Sequence, residues 1–277
     1  VREAYPNLKR NVSGYNLDEL VDNARERGEV NLARLLAGSE GTLAIVTEAT
    51  VSLEPVPNST AVVMLTYDDI LAAMADVAPI LEHDPAAVEV MDDTLLTLAA
   101  DTPEFADVVS LLPEDTDSTL LVEFYADSPA DGEEKIADLL ADRLPGYQTR
   151  ATPSDGAGAT TDAPVNAVDA LEAYDPDRQA KFWKMRKAGL PILLSRTGDD
   201  KHWPFVEDTA IPAEHLPEYV ADIQSLFKDH DTFASYYAHA GPGVLHIRPL
   251  LNLKSEDGLE TMEAISEAIT DLVIEYD

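Results

Sequence analysis

The 277-residue chain contains no cysteine, so it has no disulfide, no thiolate nucleophile and no iron–sulfur ligand of its own. It is also poor in positive charge: 19 Lys and Arg stand against 53 Asp and Glu, and the formal net charge is -34. With no basic face to neutralise phosphates, nucleic acid is excluded as a ligand. No apolar run reaches the length of a membrane span, and no basic stretch followed by an apolar one marks a signal peptide. A cytoplasmic location is the expectation, with peripheral association at the inner face of the membrane as the variant.

An apolar fraction of 45% supports a real core, in one large domain or two modest ones. The carboxylates are spread along the whole chain, which makes self-repulsion a property of the entire surface. Salt screens such repulsion, so the composition reads as adaptation to a salt-rich cytoplasm; a docking face for a basic partner would gather the charge in one place. Both ends read as cuts within a larger protein. The chain opens on Val1 among turn and strand signals and closes on Asp277 directly after an amphipathic helix.

The spacing of apolar residues from Leu17 to Leu36 predicts short helices around a break at Gly28. In GSEGTLAIVTEATVSLEPVP, residues 38–57, a glycine turn feeds a predicted strand that Pro55 and Pro57 end, marking a domain boundary. Beyond it, strands are expected at 61–67, 87–91, 119–125, 147–152, 205–211, 234–240 and 244–249. Helices are expected at 68–83, 94–100, 132–144, 214–228 and 256–276, with 153–164 a surface loop. Residues 169–194 read as a long helical pattern interrupted near Gly189 and Pro191. The fold class is α+β: an antiparallel sheet cap domain flanked by helices over 58–277, preceded by the terminal piece of another α+β domain over 1–57.

Three segments carry chemistry. Gly38 and Gly41 bracket Ser39 and Glu40, a turn whose exposed N–H groups suit a phosphate or a ring edge. In KFWKMRKAGL, residues 181–190, Arg186 follows Trp183 on a helix, and its planar fork can grip a carboxylate through two parallel hydrogen bonds; Lys187 reads as an exposed basic edge. In HAGPGVLHIRP, residues 239–249, His239 and His246 flank a Gly-Pro-Gly turn, so both rings can return to one end of a hairpin and converge on one ion. His83, His215 and His230 read as solvated, and His202 beside Trp203 has no motif behind it.

GYNL, then GSEGTLAIVTEA, then the run ending at EPVP resembles the end of the FAD-binding domain in the flavoprotein oxidases and dehydrogenases related to vanillyl-alcohol oxidase. HAGPGVLH is similar to the H-A-G-x-G-x-x-H element of their D-lactate, glycolate and D-2-hydroxyglutarate dehydrogenases. The resemblance implies FAD as cofactor, with Gly14 near the isoalloxazine, Gly38, Glu40, Gly41 and Thr42 along the cofactor, and Val46 beside the adenosine end. It implies a divalent metal, zinc, iron or manganese, on His239 and His246, the substrate carboxylate on Arg186, and Arg248 as a further contact to substrate or flavin. Ala44 stands where the family usually has Gly, Pro242 where it has Asp, and Val206 where some relatives place a second carboxylate-binding lysine. VREAY at the start and PFVEDTAIP in the middle most resemble the branch fused to a downstream iron–sulfur module.

The resulting expectation is part of a FAD-linked dehydrogenase that oxidises a small D-2-hydroxy acid by hydride transfer to flavin, the fragment alone being inactive. The rival reading is a metal-dependent hydrolase or a non-catalytic α+β binding module, but no H-E-x-x-H cluster supplies a hydrolase with its base and third ligand. From the charge alone, the thermal midpoint of the chain should rise between dilute buffer and multimolar KCl. A flat or falling curve would sink the salt-adapted reading.

Overall fold

The computed structural model describes residues 14–147 and 166–276. The chain divides into two units, Val1–Val56 and Pro57–Asp277. In the first, Asp18 and Glu19 open α1 (Leu17–Arg27) and Arg25 and Arg27 close it, complementing the helix dipole, before Gly28 ends it at φ 69°. Asn31 caps α2 (Leu32–Leu36) by accepting from the Ala33 N–H, and the Asn16 amide donates to the Arg34 and Ala37 carbonyls at 3.2 and 3.0 Å. The strand expected after the glycine turn is absent: residues 43–58 belong to no strand. Ile45 is 92% exposed and Leu53 88%. Their period-2 spacing is that of a strand, but a strand persists only where a neighbour completes its ladder, and none of the described residues does so.

The second unit is built on one eight-stranded sheet whose pairings are all antiparallel. Its strands are β1 (Ser59–Tyr67), β2 (Ala87–Met91), β3 (Ser118–Ala126), β4 (Asp169–Ala173), β5 (Lys201–His202), β6 (Val206–Ala210), β7 (Ala234–His239) and β8 (Val244–Leu251). They run in the order β4-β1-β3-β2-β7-β8-β5, with β6 also on β8. β1 is buried on both sides, so its side chains feed two cores in alternation. Ala61, Val63 and Leu65 pack with α3 (Ile70–Leu81), α6 (Pro129–Arg143), α9 (Leu216–Asp229) and α10 (Glu256–Glu275). Val62 and Met64 pack with α4 (Asp93–Ala100), α5 (Ala106–Val109), α7 (Pro176–Lys187) and α8 (Gly189–Leu194).

The stretch read as helical from residue 169 begins instead with a strand. Asp169–Ala173 pairs with β1 from Asp169 opposite Thr66 to Ala173 opposite Val62. Its Ala, Leu and Glu favour a helix locally, but the vacant edge of β1 and the apolar seats of Ala170 and Leu171 outweigh that preference. The helix starts only where Asp175 caps α7 and Pro176 takes its first turn. The expected strand over 147–152 and the loop over 153–164 lie outside the described residues, apart from Tyr147, which is in no strand.

Beneath the first core face the sequence conceals a buried ion pair. Asp76 on α3 and Arg143 on α6 are 0% and 1% exposed and lie 3.3 Å apart, and the Tyr67 hydroxyl donates to the other Asp76 oxygen at 3.0 Å. His83, expected in solvent, is half-buried against Asp142 at 3.1 Å, and Arg143 Nε donates to the same carboxylate at 2.9 Å. These contacts bind α3, α6 and β1 into one body.

The β7–β8 hairpin turns through Gly241, Pro242 and Gly243, with His239 opposite Val244, Tyr237 opposite His246 and Ser235 opposite Arg248. Opposed residues share a face, so His239, Tyr237, His246 and Arg248 all project to the side of α7 and α4. Gly243 has φ 71°, and a Cβ there would stand 1.8 Å from the Ile211 carbonyl oxygen. Gly243→Ala should therefore cost at least the roughly 1–3 kcal/mol of a strained left-handed residue. Urea unfolding in high salt checks this: an unchanged midpoint would contradict the close packing described.

Candidate active site

Glu89 is a lone charge within the apolar strand AVEVM. Continuing the β2–β7 register, in which Val90 faces Ala238 and Met91 faces Tyr237, sets Glu89 across from His239. Its oxygens lie 2.8 and 2.9 Å from His239 Nδ1. Arg186, in the last turn of α7, reaches the same carboxylate: its Nη2 is 2.7 Å from Glu89 Oε2, and both side chains are nearly buried. That approach is close but out of line, leaving Arg186 Nε and Nη2 without a hydrogen-bond acceptor among the described residues. The guanidinium is thus ion-paired to Glu89 but keeps N–H donors that a further anion could engage.

The second histidine has a matching arrangement. β6 carries a bulge, because Val206 pairs with Ile247 and Thr209 with Leu245, so Glu207 and Asp208 both stand opposite His246. Asp208 absorbs the bend at φ 53°. His246 Nδ1 is 2.7 Å from Glu207 Oε2, and Arg248 Nη1 is 2.5 Å from Glu207 Oε1. Burial works against the Glu207 carboxylate, but the His246 hydrogen bond and the Arg248 guanidinium together hold it below the usual carboxylate range. Arg248 also donates to the Tyr237 hydroxyl at 2.8 Å. Both guanidiniums stack on Tyr237, Arg186 at 5.0 Å and Arg248 at 4.9 Å from its ring centre.

The two imidazoles meet edge to face, with ring centres 5.2 Å apart. An ionised carboxylate only accepts, so each Nδ1 carries the proton and each Nε2 keeps a lone pair, to which no described residue donates. Among the described residues no group of three or more His, Asp and Glu is arranged to hold a metal ion. The site thus sets two imidazoles, each with Nδ1 on a carboxylate, beside a buried guanidinium.

A family model described as FAD linked oxidases, C-terminal domain, matches residues 56–277. The chain belongs to the FAD-linked oxidases. It is 29% identical over 280 residues to a D-2-hydroxyglutarate dehydrogenase of Pseudomonas putida and 30% to one of Pantoea ananatis, each match covering 100% of this chain and 26% of the relative. A glycolate oxidase subunit GlcD of Bacillus subtilis is 26% identical over 91% of this chain and 48% of its own length. The chain therefore spans about a quarter of the length of the dehydrogenases it matches. Among solved structures, alkyldihydroxyacetonephosphate synthase shares the fold, with a TM-score of 0.55 at 17% identity over 90% of this chain and 45% of that one.

Within this FAD-linked oxidase domain, the sequence reasoning named His239, His246, Arg186 and Arg248, and the fold gathers all four around Tyr237. It missed Glu89, Glu207 and Tyr237. A glutamate alone among Val, Ala and Met in a strand was the available signal for Glu89; Glu207 had none, because a bulge sets its direction. Lys187 stacks on Trp183 at 5.6 Å, bordering an open cleft of about 650 Å³ that Glu123 also lines. Burial raises the Glu123 carboxyl above its ordinary range despite the hydrogen bond it accepts from the Trp183 indole at 2.9 Å.

In the N-terminal unit the residues named for the cofactor occupy backbone that glycine favours. Gly14, Gly38, Glu40 and Gly41 have φ of 74°, 81°, 49° and 76°. The Tyr15 hydroxyl lies 2.8 Å from Thr42 Oγ1, which donates to the Ser39 carbonyl at 2.6 Å, and Val46 is exposed. Among the described residues nothing lies within 4 Å of a Cβ built on Gly14 or Gly41.

His202 is fully buried, its Nδ1 2.8 Å from the Arg248 carbonyl and its Nε2 without a partner among the described residues. Burial pushes its pKa below the ordinary 6.5, against the opposing hydrogen bond to Arg248. The unfolded chain then takes up the proton more readily, so stability falls as pH drops through about 6.5. Replacing the ring in His202→Phe should flatten that acid-side loss. Equal slopes for both proteins in urea titrations between about pH 7.5 and 5 would contradict a neutral, buried His202.

Proposed function

We propose that this chain is the substrate-binding part of a FAD-dependent dehydrogenase that oxidises a D-2-hydroxy acid to the 2-oxo acid. The observation that carries the reading is the buried guanidinium of Arg186, ion-paired to Glu89 with donors to spare, beside two histidines whose Nε2 atoms are unengaged among the described residues. A 2-hydroxy acid presents a carboxylate next to its hydroxyl, which matches an arginine next to those imidazoles. Arg186 grips the carboxylate and fixes the reacting carbon; Arg248 and Tyr237 hold the platform on which Arg186 rests and supply a further polar contact to substrate or flavin.

FAD accepts the hydride when bound, and the open turn of Gly38, Glu40, Gly41 and Thr42, together with Gly14 and Val46, is assigned to its site. A divalent metal, zinc, iron or manganese, is assigned to His239 and His246. It would polarise the hydroxyl, and the free Nε2 atoms fit such an ion. Two ligands are too few, so the others are assigned to the portion by which the matched dehydrogenases exceed this chain. The same portion accommodates the proton-accepting base and the iron–sulfur module that the sequence resemblance implies. No described helix is long and apolar enough to cross a membrane, and the reading places the enzyme in a salt-rich cytoplasm or peripherally at the inner membrane face.

A hydrolase or a non-catalytic binding module is the weaker reading. Membership of the FAD-linked oxidases and the unused Arg186 donors favour the dehydrogenase.

In the full-length protein, His239→Ala and His246→Ala should each lower metal content and turnover together while bound flavin stays largely intact. Arg186→Lys should retain metal and flavin but lose a few kcal/mol, roughly 2–3, of transition-state stabilisation, because a point-like ammonium cannot reproduce the two-pronged grip. Metal analysis, flavin absorbance and kcat/KM on D-lactate and D-2-hydroxyglutarate read these out. Normal metal content in both histidine variants would remove the metal from the scheme, and unchanged kcat/KM in Arg186→Lys would remove the arginine.

A further inference from the structure

The two histidines are served by the same three-part device. Arg186–Glu89–His239 runs from α7 through β2 to β7, and Arg248–Glu207–His246 runs from β8 through β6 back to β8. In each, a guanidinium pins one carboxylate, and that carboxylate accepts a hydrogen bond from Nδ1–H of one imidazole. The two devices meet at Tyr237, which carries both guanidiniums on its ring. Glu89 is 6% exposed and sits in a strand where every neighbour is apolar, a costly seat for a charge unless it has a task.

We infer that Glu89 and Glu207 are paired positioning residues, each fixing the Nδ1–H tautomer of its own histidine so that both Nε2 lone pairs face outward as ligands. The inference rests on the proposed metal-assisted oxidation but concerns only this chain's hydrogen bonds. Donor counting makes it sharp. Arg186 offers only N–H groups, so in Glu89→Gln the amide oxygen must turn to the guanidinium and the NH2 must face His239 Nδ1. That nitrogen then has to be the acceptor, and the proton moves to Nε2, blocking it as a ligand. Glu207→Gln does the same to His246 through Arg248. Neither change reaches the other ring.

The experiment is nitrogen-15 NMR of histidine-labelled chain in high KCl at about pH 8.5, above the ordinary histidine range, paired with titration by Zn2+ alone. The wild-type chain should show Nδ1–H and bare Nε2 at both His239 and His246. Glu89→Gln should convert only His239 and Glu207→Gln only His246, each with a Zn2+ affinity loss of about 10–100-fold. Adding Arg186→Met to Glu89→Gln frees the amide oxygen and should restore the His239 tautomer, which a packing defect would not do. The inference is overturned if His239 keeps its Nδ1 proton in Glu89→Gln, if either variant alters both rings, or if the double variant fails to revert. Should the tautomers follow the scheme while wild-type chain and the full-length protein both fail to bind Zn2+, the positioning role stands and the metal in the proposed function falls.

Discussion

Everything at the site hangs on one pairing, Tyr237 opposite His246 across the β7–β8 hairpin. That register sends Tyr237, His239, His246 and Arg248 to one face, and a slip of one residue would send the slipped strand's members to the other. The pairing is set by a turn that tolerates no side chain at Gly243, where the Ile211 carbonyl from the end of β6 closes in. β6 is thereby locked against β8 at the place where its bulge delivers Glu207. Packing that looks purely structural thus decides where charged groups point.

The acidic residues of this protein divide into two populations with opposite physics. Most are solvated and repel one another, which salt relieves. A few are interior and fully committed: Asp76 to Arg143 and Tyr67, Glu89 to Arg186 and His239, and Asp92 to the Leu95 and Tyr236 N–H groups and the Ser235 hydroxyl. Asp92 has no cationic partner among the described residues, and burial lifts its pKa to about 7. The chain's scarce cations are spent accordingly, with Arg143, Arg186 and Arg248 all buried.

How much of this the sequence disclosed depends on whether a feature leaves a local pattern. HAGPGVLHIRP and W-x-x-R are local strings, so the family resemblance and four residues that the fold brings together were legible from them. The antiparallel, helix-flanked sheet was legible from alternating runs and turn residues. Asp169–Ala173 was not, because its helix-forming composition is overruled by a sheet edge formed more than a hundred residues earlier in the chain. The strand expected after the glycine turn within 38–57 is absent, because an alternating pattern requires a neighbour to become a ladder. Glu89 and Glu207 meet their histidines only through long-range pairing, which no local string announces.

The bulge at Glu207 and Asp208 has a consequence for how such a site can be lost. Loss of either residue would restore an even ladder along β6 and β8, a change a sheet absorbs readily in energetic terms. The one residue left opposite His246 would still share that histidine's face, so the site keeps its glutamate only if Asp208 is the residue lost. Loss of Glu207 would leave the shorter Asp208 in that place, in a protein that keeps both histidines and their recognisable string but not the side chain that spans His246 and Arg248. Which residue of β6 stands opposite the second histidine is therefore information that the histidine motif does not carry.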